Sequence, residues 1–363
     1  MPTPHPPRRV PVVALTGHLG AGKTTVLNHL LLHPGARVGV IVNDFGEINV
    51  DAGLISGQVG DVGSIAGGCV YCLEGGDDLD AALEQLVDPR LRLDVVVVEA
   101  SGIAEPASLA RMLRYSGVER VRLGGVVEVV DAVNDDALLG AAVPPARFAA
   151  ATLVVLNKAD LLPSDAREER LTRLEDRIRE VNPAVHVVRT SRGHLDPTLV
   201  FDAAAGTLGA TPEDPEGQLP IEALLREAQE ERRARRRSAG ADRDDHAHDD
   251  HHHAASVAVR TTGPVDPHAL VALLEDPPPG AYRLKGTVAV ETGRSRRGYV
   301  AHVVGRHVHV LPATAPDSSE MVAIGVGLDT TAARERLERA LAPAGRCDAD
   351  GYRTLERLRR LSE

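Results

Sequence analysis

A chain of 363 residues with 43% apolar side chains is long enough to bury two cores, and a net charge of −11 with a sequence pI near 5.8 argues against nucleic-acid binding. Its eight aromatic residues include no tryptophan, which removes the stacking platforms that single strands use. No apolar run approaches the ~20 residues needed to span a bilayer, and three cysteines, an odd number with no secretory leader, point to a reducing cytoplasm and away from a membrane partner.

Residues 1–9 hold four prolines and read as a loose tail. From 10 to 208, apolar runs at 11–16, 38–43, 93–99, 125–131, 153–157 and 185–189 alternate with helical stretches, which predicts an α/β domain with a mostly parallel sheet. The first run leads into Gly17-His18-Leu19-Gly20-Ala21-Gly22-Lys23-Thr24, a complete G-x-x-x-x-G-K-T phosphate loop followed by an amphipathic helix over 23–32. In such a loop the backbone N–H groups curl around a phosphate at the helix N-terminus, where the dipole is positive. Gly17, Gly20, Gly22, Lys23, Thr24 and Thr25 are therefore the expected nucleotide contacts, with Lys23 on the β/γ oxygens and the Thr24 hydroxyl on Mg²⁺.

Of 41 basic residues only Lys23, Lys158 and Lys285 are lysines, which marks Lys23 and Lys158 as positions where a compact ammonium is needed rather than a planar fork, while Lys285 is either a contact to a partner or the nucleotide domain or an exposed lysine tolerated by chance. Lys158 lies in Asn157-Lys158-Ala159-Asp160 after the apolar run 153–156, an N-K-x-D guanine reader. The Asp160 carboxylate accepts from both guanine N1–H and the 2-amino group, a donor pair that adenine lacks, so GTP is expected over ATP. Thr190 and Ser191, after the last strand, are placed to reach the base from the backbone. Between these motifs the run 95–98 ends in Glu99, with Gly102 three residues later; Glu99 is expected to hold the Mg²⁺ shell. Ile103 stands where a water-positioning glutamine often does, which predicts slow intrinsic turnover, and Glu105 either orients water in its place or only starts a helix before Pro106.

Residues 209–254 read as a charged linker, from the basic stretch 226–237 to a tract of five histidines and five aspartates over 242–253. Its His246, His248, His251, His252 and His253 either capture transition metals with little selectivity or are incidental to a solvated tether. A smaller α+β domain follows over 255–343, with a strand at 255–261, a helix at 266–274, three or four further strands and a helix at 330–341; residues 344–363 read as a tail. Within it, Gly305-Arg306 reads as a two-residue hairpin turn that sets His302 opposite His309 with His307 on the same face. Exposed polar residues are the commoner reading of such a face, and a bound ion is the alternative.

The phosphate loop, Asn43-Asp44-Phe45-Gly46-Glu47-Ile48, Gly67-Gly68-Cys69-Val70-Tyr71-Cys72, the run Glu99 to Pro106 and the guanine reader occur in the order seen in CobW-like GTPases, which this chain resembles over about 10–341. That resemblance implies a metal-handling GTPase related to UreG and HypB, with GTP/GDP, Mg²⁺ and a divalent transition metal, chiefly Zn²⁺, as ligands. It also implies a client metalloprotein as partner, coupling between nucleotide state and metal, and room for a nucleotide-dependent homo-oligomer. The family element reads G-C-x-C-C, and Tyr71 stands here in place of its second cysteine, leaving Cys69 and Cys72 as C-x-x-C. Two thiolates can bind one ion, but zinc wants four ligands, and Glu47 in the segment resembling a first switch is a natural oxygen donor. A lapsed site and a redox C-x-x-C are the alternatives. At the level of the whole chain, a regulatory GTPase without metal transfer and a His-rich metal buffer stand beside the metallochaperone.

Overall fold

The computed structural model describes residues 9–31, 36–43, 63–65, 68–73, 79–100, 105–134, 145–201, 254–292, 295–343 and 348–362. Residues 209–253 of the expected linker, with the five histidines of the tract, and Glu47 lie outside them. The first half is built on eight strands: β1 (Val10–Gly17), β2 (Val38–Asn43), β3 (Gly63–Ile65), β4 (Gly68–Leu73), β5 (Val95–Ala100), β6 (Val121–Asp131), β7 (Leu153–Asn157) and β8 (His186–Arg189). They form one sheet in the order β3-β4-β2-β5-β1-β6-β7-β8, parallel except for β3, which runs antiparallel to β4. All six predicted strands are present. Two were not foreseen: 63–65 is a short edge strand, and Gly68–Leu73, read only as the C-x-x-C element, is a strand paired with β2. Its glycine and two cysteines weaken the strand signal in the sequence.

Helices α1 (Lys23–Leu31), α2 (Leu79–Leu86), α3 (Pro106–Arg114), α4 (Pro145–Ala149) and α5 (Arg167–Val181) connect the strands. Strand alternation sorts the core into two layers. Val13 and Leu15 of β1 and Leu153 and Val155 of β7 share one buried cluster with Val26, Leu27 and Leu30 of α1. Their neighbours Val12 and Ala14 face a second cluster with α2 and α3, while Val154 and Leu156 meet Phe148 of α4 and Leu171, Leu174 and Ile178 of α5.

Among the described residues the first face carries one helix, α1, and other segments share its cover. Leu199 and Phe201 supply part of it, and the second half of the chain supplies Tyr282 and Val304. That half is an antiparallel sheet of β9 (Ala255–Thr262), β10 (Arg283–Glu291), β11 (Arg296–Val304), β12 (His307–Ala313) and β13 (Ser318–Gly325), ordered β12-β11-β10-β13-β9. It carries α6 (Pro267–Glu275), α7 (Thr330–Ala340) and α8 (Ala349–Leu361). Asp266, Asp329 and Asp348 cap these helices by accepting backbone N–H bonds in the first turn. The expected tail thus holds a packed helix: Leu355 is fully buried, and Tyr299 donates to Glu356 Oε1 at 2.6 Å.

The seam between the halves is tied by polar contacts as well. The Tyr282 and Thr152 hydroxyls lie 2.9 Å apart, Val126 N donates to Thr152 Oγ1 at 3.0 Å, and Ala254 N donates to Asp196 Oδ2 at 2.9 Å. The His186 ring stands edge-on to Tyr282 with centroids 5.0 Å apart; burial, helped by the charge of Arg179, lowers its pKa to about 4.

Two outcomes follow from this seam. Tyr282→Ala should cost about 3–4 kcal/mol of stability, read as the shift in urea midpoint at constant slope. His186 and His309, both depressed to about 4, stay neutral in the fold while the unfolded chain takes up protons below about 6.5, so stability should fall as pH drops from about 6.5 to about 4. Thermal midpoints of an H186Q/H309Q variant should show a flatter profile across that window.

Candidate nucleotide site

The phosphate loop follows β1 at the carboxyl ends of the parallel strands, where open α/β sheets gather their ligands. Gly17, Gly20 and Gly22 all take positive φ, at 147°, 78° and 99°. At Gly22 the requirement is steric too, because a Cβ there would run into the Asn157 amide nitrogen. Lys23 is 8% exposed, and its ammonium donates to Gly17 O at 3.1 Å and His18 O at 3.3 Å, which folds it back over the loop it must serve. The Thr24 hydroxyl donates to Glu99 Oε1 at 2.9 Å, and Glu99, at the end of β5, is 3% exposed. The two expected Mg²⁺ ligands are therefore neighbours, and a hydroxyl beside a carboxylate is the oxygen donor set that a hard cation takes while keeping its waters. Thr25 is exposed in the first turn of α1.

The guanine reader begins at the end of β7. Asn157 is 2% exposed; its Nδ2 donates to Ala21 O at 3.0 Å and its Oδ1 accepts from Gly193 N at 2.9 Å, so one amide joins the phosphate loop to the loop after β8. Gly193, with φ of 73°, has room for no side chain, since a Cβ would lie 2.8 Å from Val26 N. Lys158 adopts a left-handed conformation (φ 64°), and its ammonium meets Asp131 Oδ2 at 2.6 Å. Burial alone would raise the Asp131 pKa, but hydrogen bonds from Lys158, Asn134 and the Val133 backbone bring it below the ordinary range. Asp160 Oδ2 lies 3.7 Å from Arg192 Nε, whereas Oδ1 is buried and accepts no hydrogen bond among the described residues. A buried acceptor left bare costs about 1–3 kcal/mol, which a base presenting two N–H donors would recover. Thr190 spends its backbone inside this loop, donating to Leu156 O at 2.8 Å and accepting from Ala159 N at 3.1 Å; Ser191 O accepts from His194 N at 3.1 Å.

One group that the motifs do not contain lies directly behind the loop. Glu128 on β6 is fully buried; it accepts from the Thr16 hydroxyl and from Arg147 Nε at 2.5 Å, and Arg147 stands over the Phe148 ring. Burial pushes its carboxyl above the ordinary range, with Arg147 opposing. A lone acid in Val126-Val127-Glu128-Val129-Val130 is the trace it leaves in the sequence, and Asp131 at the end of the same strand, in register with Asn157, is the other.

Glu105 precedes α3 as its N-cap residue, is exposed, and accepts from Ser108 Oγ at 3.0 Å. Cys69 and Cys72 are positions of β4, in register with Gly39 and Val42 of β2. Val42 pairs on its other side with Glu99, which sets Cys72 and Glu99 at one level on the two strands flanking β2. The hairpin register is as expected, with His302 opposite His309 and Val304 opposite His307. No group of three or more metal-ligating side chains forms among the described residues, and His307 and His309 face arginine charge instead.

The family model described as the CobW/HypB/UreG nucleotide-binding domain matches residues 11–189, and the cobalamin synthesis protein cobW C-terminal domain matches 254–341. Similar curated proteins include the zinc chaperone YjiA of Escherichia coli, 31% identical over 201 residues that make up 53% of this chain and 61% of YjiA. The zinc chaperone CobW of Pseudomonas aeruginosa is 32% identical over 222 residues, 52% of this chain and 58% of the relative. The zinc-regulated GTPase metalloprotein activator 1 of Schizosaccharomyces pombe is 32% identical over 201 residues, 52% and 47%. The chain thus spans about half the length of the curated relatives it matches. Among solved structures, the Zn(II)-bound YjiA GTPase from E. coli aligns with 92% of this chain and 99% of its own, at 23% identity and a TM-score of 0.41. Both domain models match in their order along a chain whose phosphate loop and guanine reader meet at Asn157, and the chain belongs to the CobW family of P-loop GTPases.

Proposed function

We propose that this chain binds and hydrolyses GTP and couples that cycle to the binding of a transition metal, zinc foremost, for transfer to a client metalloprotein in the cytoplasm. The observation that carries the nucleotide half is the bare, buried Oδ1 of Asp160 at the end of a loop already tied to the phosphate cradle. The names of the relatives, zinc chaperone and zinc-regulated GTPase metalloprotein activator, support the metal half.

In this reading the loop N–H groups and the Lys23 ammonium neutralise the β and γ phosphate oxygens, and Lys23 is already aimed by two loop carbonyls. Thr24 and Glu99 would hold Mg²⁺, which would supply positive charge against the phosphate oxygens. Asn157 keeps the cradle and the base loop in register, while Lys158, fixed by Asp131, and Asp160 frame the guanine. Glu105 orients the attacking water, for which its carboxylate gives up Ser108. Turnover is slow because no glutamine follows Gly102.

Cys69 and Cys72 supply thiolates to the metal, Glu47 an oxygen, and the histidines of the 242–253 tract a weaker reservoir. The shared level of Cys72 and Glu99 beside β2 favours coupling, since whatever moves the Mg²⁺ carboxylate acts one strand from the thiolate strand. No helix among the described residues is long and apolar enough to cross a membrane.

Asp160→Ala should weaken GDP binding about 10–100-fold, or about 1.4–2.7 kcal/mol, and leave ADP binding unchanged, as measured with fluorescent nucleotides. Zinc affinity, read by competition with a chromophoric chelator, should be tighter with Mg²⁺ and a non-hydrolysable GTP analogue than with GDP. The C69S/C72S variant should lose that difference and keep GTP affinity. Equal zinc affinity in both nucleotide states would remove metal transfer from the reading, and loss of most capacity on deleting 242–253 would make the chain a buffer.

A further inference from the structure

A second cleft, of about 500 Å³, lies between α3 and the turn of the β11–β12 hairpin. Leu123 near the start of β6 and Thr152 just before β7 line it, so it opens at the amino ends of the parallel strands, opposite the phosphate loop. Small side chains, among them Ala107, Ala110 and Ala151, leave the space. Its charged groups are Arg111 and Arg114 on α3 and Arg306 in the hairpin turn, with the His307 imidazole beside it; no aspartate or glutamate lines it.

None of the three guanidinium groups forms an ion pair or hydrogen bond among the described residues. The neighbouring imidazoles register the same imbalance: His307 is lowered by burial and then by Arg114, and His309 by burial and then by Arg122, His307, Arg114 and Arg9, with no carboxylate opposing. Like charges gathered around a concavity repel one another and focus a positive potential into it, which a multivalent anion relieves. Guanidinium forks match carboxylate and phosphate oxygens two at a time, the alanine walls accept a short carbon skeleton, and the volume lies in the range of small-ligand sites.

We propose that this cleft is a binding site for a small organic anion carrying at least two negative charges, held by Arg111 and Arg114 from the nucleotide half and by Arg306 from the C-terminal half. The ligand bridges the seam, and its site is separate from the phosphate loop.

The test is calorimetric titration of the full chain, saturated with Mg²⁺ and GDP so that the phosphate loop is filled, with tricarballylate as probe at about 150 mM salt. One saturable site is expected. It should weaken at least about tenfold in R114A/R306A, whose GDP affinity and thermal midpoint stay unchanged, and persist in R357A, an exposed arginine on α8. Absence of saturation overturns the proposal, as does equal binding in R114A/R306A or an equal loss in R357A, which would mean that net charge alone attracts the probe.

Discussion

The nucleotide site depends on the side-chain amide of Asn157, which is buried, donates to Ala21 in the phosphate loop and accepts from Gly193 after β8. Three segments far apart in sequence, 17–24, 157–160 and 190–194, thereby hold one geometry. An amide suits this place because it offers a donor and an acceptor from one rigid plane, and a carboxylate would leave Ala21 O facing an acceptor. The glycines on either side follow from it: Gly22 makes room for the amide, and Gly193 lets the third loop lie against α1.

Around that pin the charges are arranged in layers of increasing burial. Lys158 with Asp131 is partly open to water and is a modest contributor to stability, whereas Glu128 with Arg147 and Thr16 is closed off and sits under the first glycine of the loop. A closed pair of this kind is weak evidence for stability and better suited to fixing position, since losing one partner strands the other in low dielectric. It anchors the residue before Gly17, while Asn157 anchors the residue before Gly22. The loop is braced at both ends with its middle, at Gly20, open.

Much of this was legible in the sequence, for reasons that differ by element. Lys23, Thr24 and Asp160 could be read because motif spacing encodes local backbone geometry, and the strands 153–157 and 38–43 because buried parallel strands are unbroken apolar runs. The opposition of His302 and His309 was legible because a two-residue turn fixes register. Strand β4 was not, as glycine and cysteine weaken its propensity and pairing with β2 and β3 makes it a strand. Helix α8 was missed because its apolar positions are sparse, Tyr352, Leu355 and Leu358 among arginines and glutamates, and its burial comes from α6 and β12. Glu128 with Arg147, and the cleft arginines, join residues without any local pattern. Glu47 and the histidine tract lie outside the described residues, so their part rests on composition and resemblance.

The placement of Tyr282 and Val304 in the same buried cluster as β7 and α1 bears on how the molecule is put together. Among the described residues, one face of the nucleotide sheet carries the single helix α1, and the second sheet packs beside it. The boundary between the two matched domains is therefore a boundary of ancestry rather than of folding. Cut there, that cluster would lose Tyr282 and Val304, and the halves are expected to melt together as one cooperative unit. The clamp lies at the β7–β8 side of the sheet, while Cys69 and Cys72 sit on the penultimate strand of the other side, next to the three-residue edge of β3.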